Sequence, residues 1–101
     1  MNLKGQTVAT YCEAVKLSRY AVIRLKEIYG LKTETFHEDR FIKRALSGRI
    51  TEARENLVAA VPPGKGPTSI FVVDLATCTV VTVFRYKKSL KVFKEGESLI
   101  L

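Results

Sequence analysis

The sequence has few of the residues that build cysteine frameworks, metal sites and imidazole-based catalytic centres. It contains two cysteines, one histidine and no tryptophan in 101 residues. No Cys-x-x-Cys pair occurs, and one histidine cannot complete a structural zinc site. Small secreted domains usually carry more cysteines, in even sets. The composition therefore argues against a disulfide-rich scaffold or a zinc fold, and it predicts neither a metal nor a cofactor.

Long apolar runs are also missing. No continuous apolar stretch approaches the roughly 20 residues needed to cross a bilayer. Residues 1–10 lack the apolar core and the cleavage site of a signal peptide. Cys12 and Cys78 stand far apart in apolar surroundings, so we expect free buried thiols in a reducing compartment, with a disulfide between them as the alternative. These observations predict a cytoplasmic protein that does not contact a membrane.

Acidic residues are scarce relative to basic ones. The 17 lysines and arginines outnumber the 10 aspartates and glutamates, which gives a net charge of +7. A positive field favours anionic partners such as nucleic acid, anionic lipid or an acidic protein. The alternative is a lysine-rich surface that serves only solubility. The length and the apolar fraction of 47% fit one folded domain spanning residues 1–101.

The first part of the chain, residues 1–61, has mainly helical periodicity. The apolar positions from Val8 to Val15 predict a helix, and those from Ala21 to Tyr29 predict helix up to Gly30. Either Ser18 caps a second helix or the first helix continues through it. Thr35 and Glu38 have the spacing of a capping box, which predicts a third helix that ends at Gly48. Residues 50–61 are ambiguous, and we interpret them as a helix or turn followed by a strand.

A proline- and glycine-rich loop, residues 62–68, leads into a β-rich part, residues 69–101. Residues 69–75 and 79–86 are rich in β-branched and aromatic side chains, which predicts an antiparallel hairpin. Residues 90–93 and 98–101 are candidates for further short strands. The edge at residues 90–93 and the apolar residues 99–101 offer surfaces for a homodimer, and the alternative is a monomer whose C-terminus packs on its own core. The predicted fold class is α+β, with N-terminal helices packed on one face of a small antiparallel sheet.

The hairpin exit carries the densest cluster of positive charge. No acidic residue interrupts it, and Tyr86 and Phe93 lie among the cations. Cations bind phosphate and aromatic rings stack on unpaired bases, so this segment is a candidate nucleic-acid interface. The alternative is an edge strand whose lysines prevent aggregation. The basic residues of this cluster are Arg85, Lys87, Lys88, Lys91 and Lys94.

A second basic patch lies on the predicted third helix. Arg40 and Arg44 are four residues apart and share a helix face, which makes them candidates for nucleic-acid binding or for an ordinary solvated face. His37, the one histidine, lies at the start of that helix. It is a candidate catalytic residue because histidine is the commonest proton donor and acceptor near neutral pH.

Three short motifs resemble those of small RelE-like proteins, in the wider group of RelE, barnase and colicin-type ribonucleases. They cover about residues 17 to 86. Many members of this group are bacterial toxins, and many small relatives are carried by phages. One position departs from the group's pattern, because Tyr20 stands where relatives often have histidine. The matching residues are Ser18, Ala21 and Arg24, then Ala45, Leu46 and Gly48, then Asp74 and Val81-Thr82-Val83.

The resemblance implies a RelE-like fold and metal-independent cleavage of RNA by a ribose 2′-hydroxyl. That reaction needs a base, an acid and cations around the phosphate. The candidate catalytic residues are Tyr20, Arg24, His37, Arg85 and Tyr86. Tyrosine is a poor base at neutral pH, so Tyr20 either changes the mechanism or marks a site that binds RNA without cleaving it.

The sequence therefore predicts an RNA-directed protein, with endoribonuclease activity as one outcome and an antitoxin as one partner. The alternative is a non-enzymatic phage or bacterial inhibitor or adaptor that binds a host protein or a nucleic-acid complex through its basic face.

Overall fold

A computed structural model describes residues 3–64, 69–87 and 92–93. Two α-helices, α1 (Arg19–Tyr29) and α2 (Glu38–Ser47), precede most of the strands. Short 3-10 turns at Val8–Thr10 and Thr33–Thr35 precede β1 and α2 respectively. The fold is therefore α+β, as the order of helical and strand-like segments predicts. The strands are β1 (Lys16–Leu17), β2 (Arg49–Arg54), β3 (Leu57–Val61), β4 (Ser69–Asp74) and β5 (Thr79–Arg85).

The five strands form one mixed sheet in the order β1-β5-β4-β3-β2. Strands β2 to β5 pair with one another in antiparallel fashion, as a meander. The short strand β1 runs parallel to β5, with Lys16 opposite Thr79 and Leu17 opposite Val80. The prediction of an antiparallel sheet is therefore wrong at this edge. Parallel strands require a long crossover connection, and the chain between β1 and β5, which includes α1 and α2, provides one.

Helix α1 begins and ends where its capping residues predict. The Ser18 hydroxyl accepts a hydrogen bond from the Ala21 amide, and Gly30 takes the left-handed conformation with φ of 65°. Ala21, Leu25 and Ile28 are buried against the sheet. Helix α2 ends at Gly48, as predicted. A Cβ at Gly48 would lie 2.9 Å from the Ala60 Cβ, so only glycine lets the end of α2 lie this close to β3.

The predicted helix from Val8 to Val15 is absent. Only a 3-10 turn at Val8–Thr10 forms, although Val8, Cys12 and Val15 are all buried. The backbone of this segment bonds instead to the start of β2: the Val8 amide donates to the Gly48 carbonyl and the Ile50 amide donates to the Gln6 carbonyl. Within the segment, the Val8 carbonyl accepts hydrogen bonds from the Tyr11 and Cys12 amides. Val8, Cys12 and Val15 are therefore buried at helical spacing without a continuous helix.

The predicted capping box is also wrong. Helix α2 starts at Glu38 with His37 at the N-cap position, and the His37 side chain makes no capping bond. The Thr35 hydroxyl accepts a hydrogen bond from the Lys32 amide instead, in the preceding 3-10 turn. Glu38 and Asp39 occupy the first turn of α2, where negative charge stabilises a helix N-terminus.

Residues 50–61 form strands on both sides of a turn. The hairpin of β2 and β3 turns at Glu55, whose φ is 56°, and Asn56. Our interpretation of a helix or turn in the first part is therefore wrong. The burial of Val58, Ala59 and Ala60 explains the ambiguity, because β3 is covered on both faces and shows no alternation of apolar and polar residues.

The sheet buries apolar side chains on both faces. The larger cluster lies between the sheet and the helices and includes Leu25, Phe41, Phe71 and Val83. The opposite face carries a second cluster, whose fully or nearly buried members are Ala59, Ile70, Val72 and Val92. The carboxylate of Glu52 on β2 accepts hydrogen bonds from the amides of Val92 and Phe93, at 2.9 and 3.1 Å. These bonds hold the two residues over the second face.

Cys12 and Cys78 form a disulfide, with Cα atoms 5.9 Å apart. That separation lies within the usual range of about 4.4–6.8 Å. The expectation of free thiols is therefore wrong, because the fold brings the segment after the first 3-10 turn against the connection between β4 and β5. Disulfides are typical of oxidising compartments, so the cysteines no longer argue for a reducing one.

Val92 and Phe93 lie in a turn rather than in a strand. The rest of the predicted strand at residues 90–93, and the predicted strand at residues 98–101, lie outside the described residues. Within the described ranges, no helix has the length and apolar character required to span a bilayer.

Candidate nucleic-acid interface

A groove of about 210 Å³ opens between the end of α1 and the outer side of α2. We call it the basic groove. His37 and Arg40 also line a shallower depression of about 410 Å³ beside it. The residues that line the basic groove are Tyr29, Leu31, Thr35, His37, Arg40, Phe41 and Arg44.

Aromatic rings make the floor of the basic groove rigid. Phe41 is buried, and its ring centroid lies 5.2 Å from those of both Tyr29 and Phe36. The Arg44 guanidinium lies 5.9 Å from the centroid of Tyr29, and the Lys26 ammonium lies 5.7 Å from that of Phe36. Because these contacts already occupy the ring faces, the floor positions cations and is poorly placed to stack on bases.

The basic residues that line the groove come from α2 and its N-cap position. His37, Arg40 and Arg44 are exposed and follow one another at helical spacing, so they share the face that Phe41 anchors. Glu38 and Asp39 line only the shallower depression. Within the described residues, no carboxylate forms an ion pair with Arg40 or Arg44. Both guanidinium groups can therefore donate to an anionic ligand.

A third arginine, Arg85, lies opposite the β4 residue that Tyr29 contacts. The Tyr29 hydroxyl lies 2.9 Å from the Ser69 hydroxyl, in hydrogen-bond contact. Ser69 on β4 is directly opposite Arg85 on β5, and opposite residues have Cβ atoms about 5 Å apart on the same face. Arg85 is exposed. The fold thus brings one residue of the predicted hairpin cluster towards the helical patch, which the sequence treats as separate.

Two predicted catalytic residues lie elsewhere on α1. Tyr20 is in the first turn, nine positions before Tyr29, which corresponds to about 13 Å along the helix axis. The Arg24 guanidinium donates to the Val83 carbonyl at 3.3 Å and to the Glu27 carboxylate at 3.2 Å. The Ser18 hydroxyl likewise donates to the Val81 carbonyl. Strand β1 pairs only with Thr79 and Val80 of β5. Ser18 and Arg24 donate to carbonyl groups farther along β5. Arg24 therefore has a structural role.

The remaining predicted residues do not enter the groove. Tyr86 follows Arg85 directly and packs against the cluster on the opposite sheet face, because neighbouring strand residues point to opposite faces. Lys87 is exposed just beyond β5. Lys88, Lys91 and Lys94 lie outside the described residues. Across residues 3–64, 69–87 and 92–93, no cluster of three potential metal ligands forms.

The basic residues of this groove could be predicted from the sequence, but its aromatic residues were not predicted to belong to a site. Tyr29 and Phe41 were interpreted only as members of apolar helix faces, and Phe36 was not singled out. Interleaved aromatic and basic residues drew attention to residues 85–94, and the same signal is present between Lys26 and Arg44.

Comparison of the chain with protein-family models, with curated proteins and with solved structures finds no match. The class that the fold and the site define is a small basic α+β protein with an arginine-lined groove on its helical side.

Proposed function

We propose that this protein is RNA-directed and that the basic groove holds the phosphate backbone of RNA. The observation that carries the proposal is the convergence of His37, Arg40 and Arg44 on a groove that also contains the rings of Tyr29 and Phe41. Arginine presents several donors in a fixed plane that matches phosphate oxygens. The net charge of +7 adds a long-range attraction for polyanions.

The motif resemblance supports the same class of ligand. We propose a RelE-like fold on the order of its elements, in which helices precede an antiparallel meander and pack on one of its faces. Two of the residues matched in the resemblance lie at the start of α1. Ser18 is its N-cap, and Ala21 is buried. A role as a toxin neutralised by an antitoxin belongs to this proposal.

The groove supports binding more strongly than cleavage. Cleavage by a 2′-hydroxyl requires one group to take its proton and another to protonate the 5′ oxygen that leaves. His37 is suited to proton transfer, but Tyr20 and Tyr86 lie away from it. This separation favours the second candidate function, a non-enzymatic adaptor or inhibitor that binds a nucleic-acid complex through the basic groove.

A salt titration of RNA affinity tests the proposal. Substitution of both Arg40 and Arg44 by alanine should weaken binding of single-stranded RNA at least tenfold, since charged hydrogen bonds contribute about 1.5–3 kcal/mol each. The slope of log K against log salt should become shallower by about 1.4, which is about 0.7 for each lost phosphate contact. Fluorescence anisotropy at several salt concentrations measures both quantities.

Lys43→Ala is the matched control, because Lys43 is exposed on the same helix but does not line the groove. It removes one positive charge and should leave the affinity nearly unchanged. Equal losses in Lys43→Ala and in the single variant Arg40→Ala would show that net charge alone attracts RNA, which would overturn the proposed site.

A cleavage assay with the same RNA distinguishes an endoribonuclease from a non-enzymatic adaptor. Incubation with chelator present should yield fragments ending in a 2′,3′-cyclic phosphate if the protein is a metal-independent endoribonuclease, and His37→Ala should abolish them. Tight binding without fragments would identify the adaptor function.

A further inference from the structure

Helix α1 exposes two large apolar side chains to solvent. Tyr20 is 47% exposed and Ile23 is 48% exposed. The other large apolar residues in the described ranges are less exposed. Ala21, Leu25 and Ile28 face the core, so helical geometry places Ile23 on the opposite side of α1. A surface of this kind on a small protein marks a contact site when its surroundings complement a partner.

Two of the charges beside Ile23, those of Arg19 and Glu27, have opposite signs and lie at equal distances from it along the helix. Arg19, Ile23 and Glu27 follow at intervals of four residues and form one row along the helix, with a cation at one end and a carboxylate at the other. Arg19 and Glu27 are exposed. When two such rows lie antiparallel, each cation is near the carboxylate of the other, which is the arrangement that a two-fold interface requires.

We propose that α1 packs antiparallel against α1 of a second copy of this chain. Tyr20 and Ile23 of both copies form the apolar centre, and Arg19 of each copy pairs with Glu27 of the other. Glu27 already accepts a hydrogen bond from Arg24 at 3.2 Å, and its second carboxylate oxygen has room for another donor. Two reciprocal pairs oppose the repulsion between copies that each carry a net charge of +7.

The area of contact predicts weak association. A helix of 11 residues is about 16 Å long. Two such helices bury less than the roughly 1,000 Å² of a stable interface. The dimer therefore forms at high protein concentration. This inference is independent of RNA binding, because its face of α1 includes none of the residues that line the basic groove.

Sedimentation velocity over a range of protein concentrations tests the proposal. The wild type should shift from monomer to dimer as concentration rises. Glu27→Arg and Arg19→Glu should each weaken dimerisation at least tenfold, because the two-fold axis makes each substitution act twice. The double variant Arg19→Glu/Glu27→Arg should restore the wild-type affinity, since it exchanges the partners and leaves the net charge unchanged.

Three results would overturn the proposal. A wild type that stays monomeric would leave the Tyr20–Ile23 face to a different partner. If neither Glu27→Arg nor Arg19→Glu weakens the dimer, the dimer forms through another surface. Stronger dimerisation by Arg19→Glu would show that net repulsion controls association. Should the reversals prevent folding, Ile23→Cys provides a second test, because residues on the two-fold axis should cross-link to each other.

Discussion

At the scale of single residues, the side chain of Ser18 makes one hydrogen bond to α1 and one to strand β5. Its hydroxyl oxygen accepts a hydrogen bond from the Ala21 amide and its proton goes to the Val81 carbonyl, at 3.0 and 2.9 Å. The local half of this role could be predicted from the sequence, because serine before an apolar helical pattern is a common N-cap. The bond to β5 could not be predicted, since residues 18 and 81 meet only in the folded chain.

We expect Ser18→Ala to lower the free energy of unfolding by about 1–2 kcal/mol, because it removes a helix cap and a donor to a β5 carbonyl. Urea denaturation followed by circular dichroism measures the change. Ser18→Asp separates the two bonds, since a carboxylate keeps the cap but cannot donate to Val81. Ser47→Ala, at an exposed position near the end of α2, should change stability little, and an equal loss there would contradict this explanation.

At the scale of elements, local signals predicted α1, β4 and β5 well. Their caps and their β-branched composition lie within the elements themselves. The turn at Val8–Thr10 and strand β1 were not predicted, because their backbone partners lie far away in the sequence: Gly48 for Val8, and Thr79 and Val80 for β1. Strand β2 was not predicted for a different reason: its partner β3 is close in sequence, but Ile50 is its one buried residue. The same holds for the groove: Arg40 and Arg44 share one helix, whereas its aromatic residues come from two, Tyr29 on α1 and Phe41 on α2.

The contact between β2 and the covering residues Val92 and Phe93 depends on one carboxylate. We expect Glu52→Ala to lower stability by about 1–3 kcal/mol, because two backbone amides lose their acceptor. It should also increase binding of an apolar dye, as Ile70 and Val72 become accessible. Glu34→Ala, at an exposed site in the second 3-10 turn, is the control. Unchanged dye binding in Glu52→Ala would show that Val92 and Phe93 stay in place without the carboxylate.

At the scale of the whole molecule, the Cys12–Cys78 disulfide joins the N-terminal segment to the sheet. The bond closes a loop with a sequence separation of 66 residues. Constraint of the unfolded chain over such a loop contributes about 4 kcal/mol. We expect the variant Cys12→Ser/Cys78→Ser to lose stability of this order in urea denaturation. Wild-type protein in reductant should match the variant, and wild-type stability that does not respond to reductant would contradict the prediction.

The same bond also determines how the chain can be unravelled. It turns residues 12–78 into a covalent ring, so that only about a third of the chain, residues 1–11 and 79–101, can be drawn out as a single strand. An unfolding motor that pulls from either terminus reaches the ring and must then admit two strands side by side or stop. Single-file threading of this protein through a narrow pore therefore requires prior reduction of Cys12–Cys78.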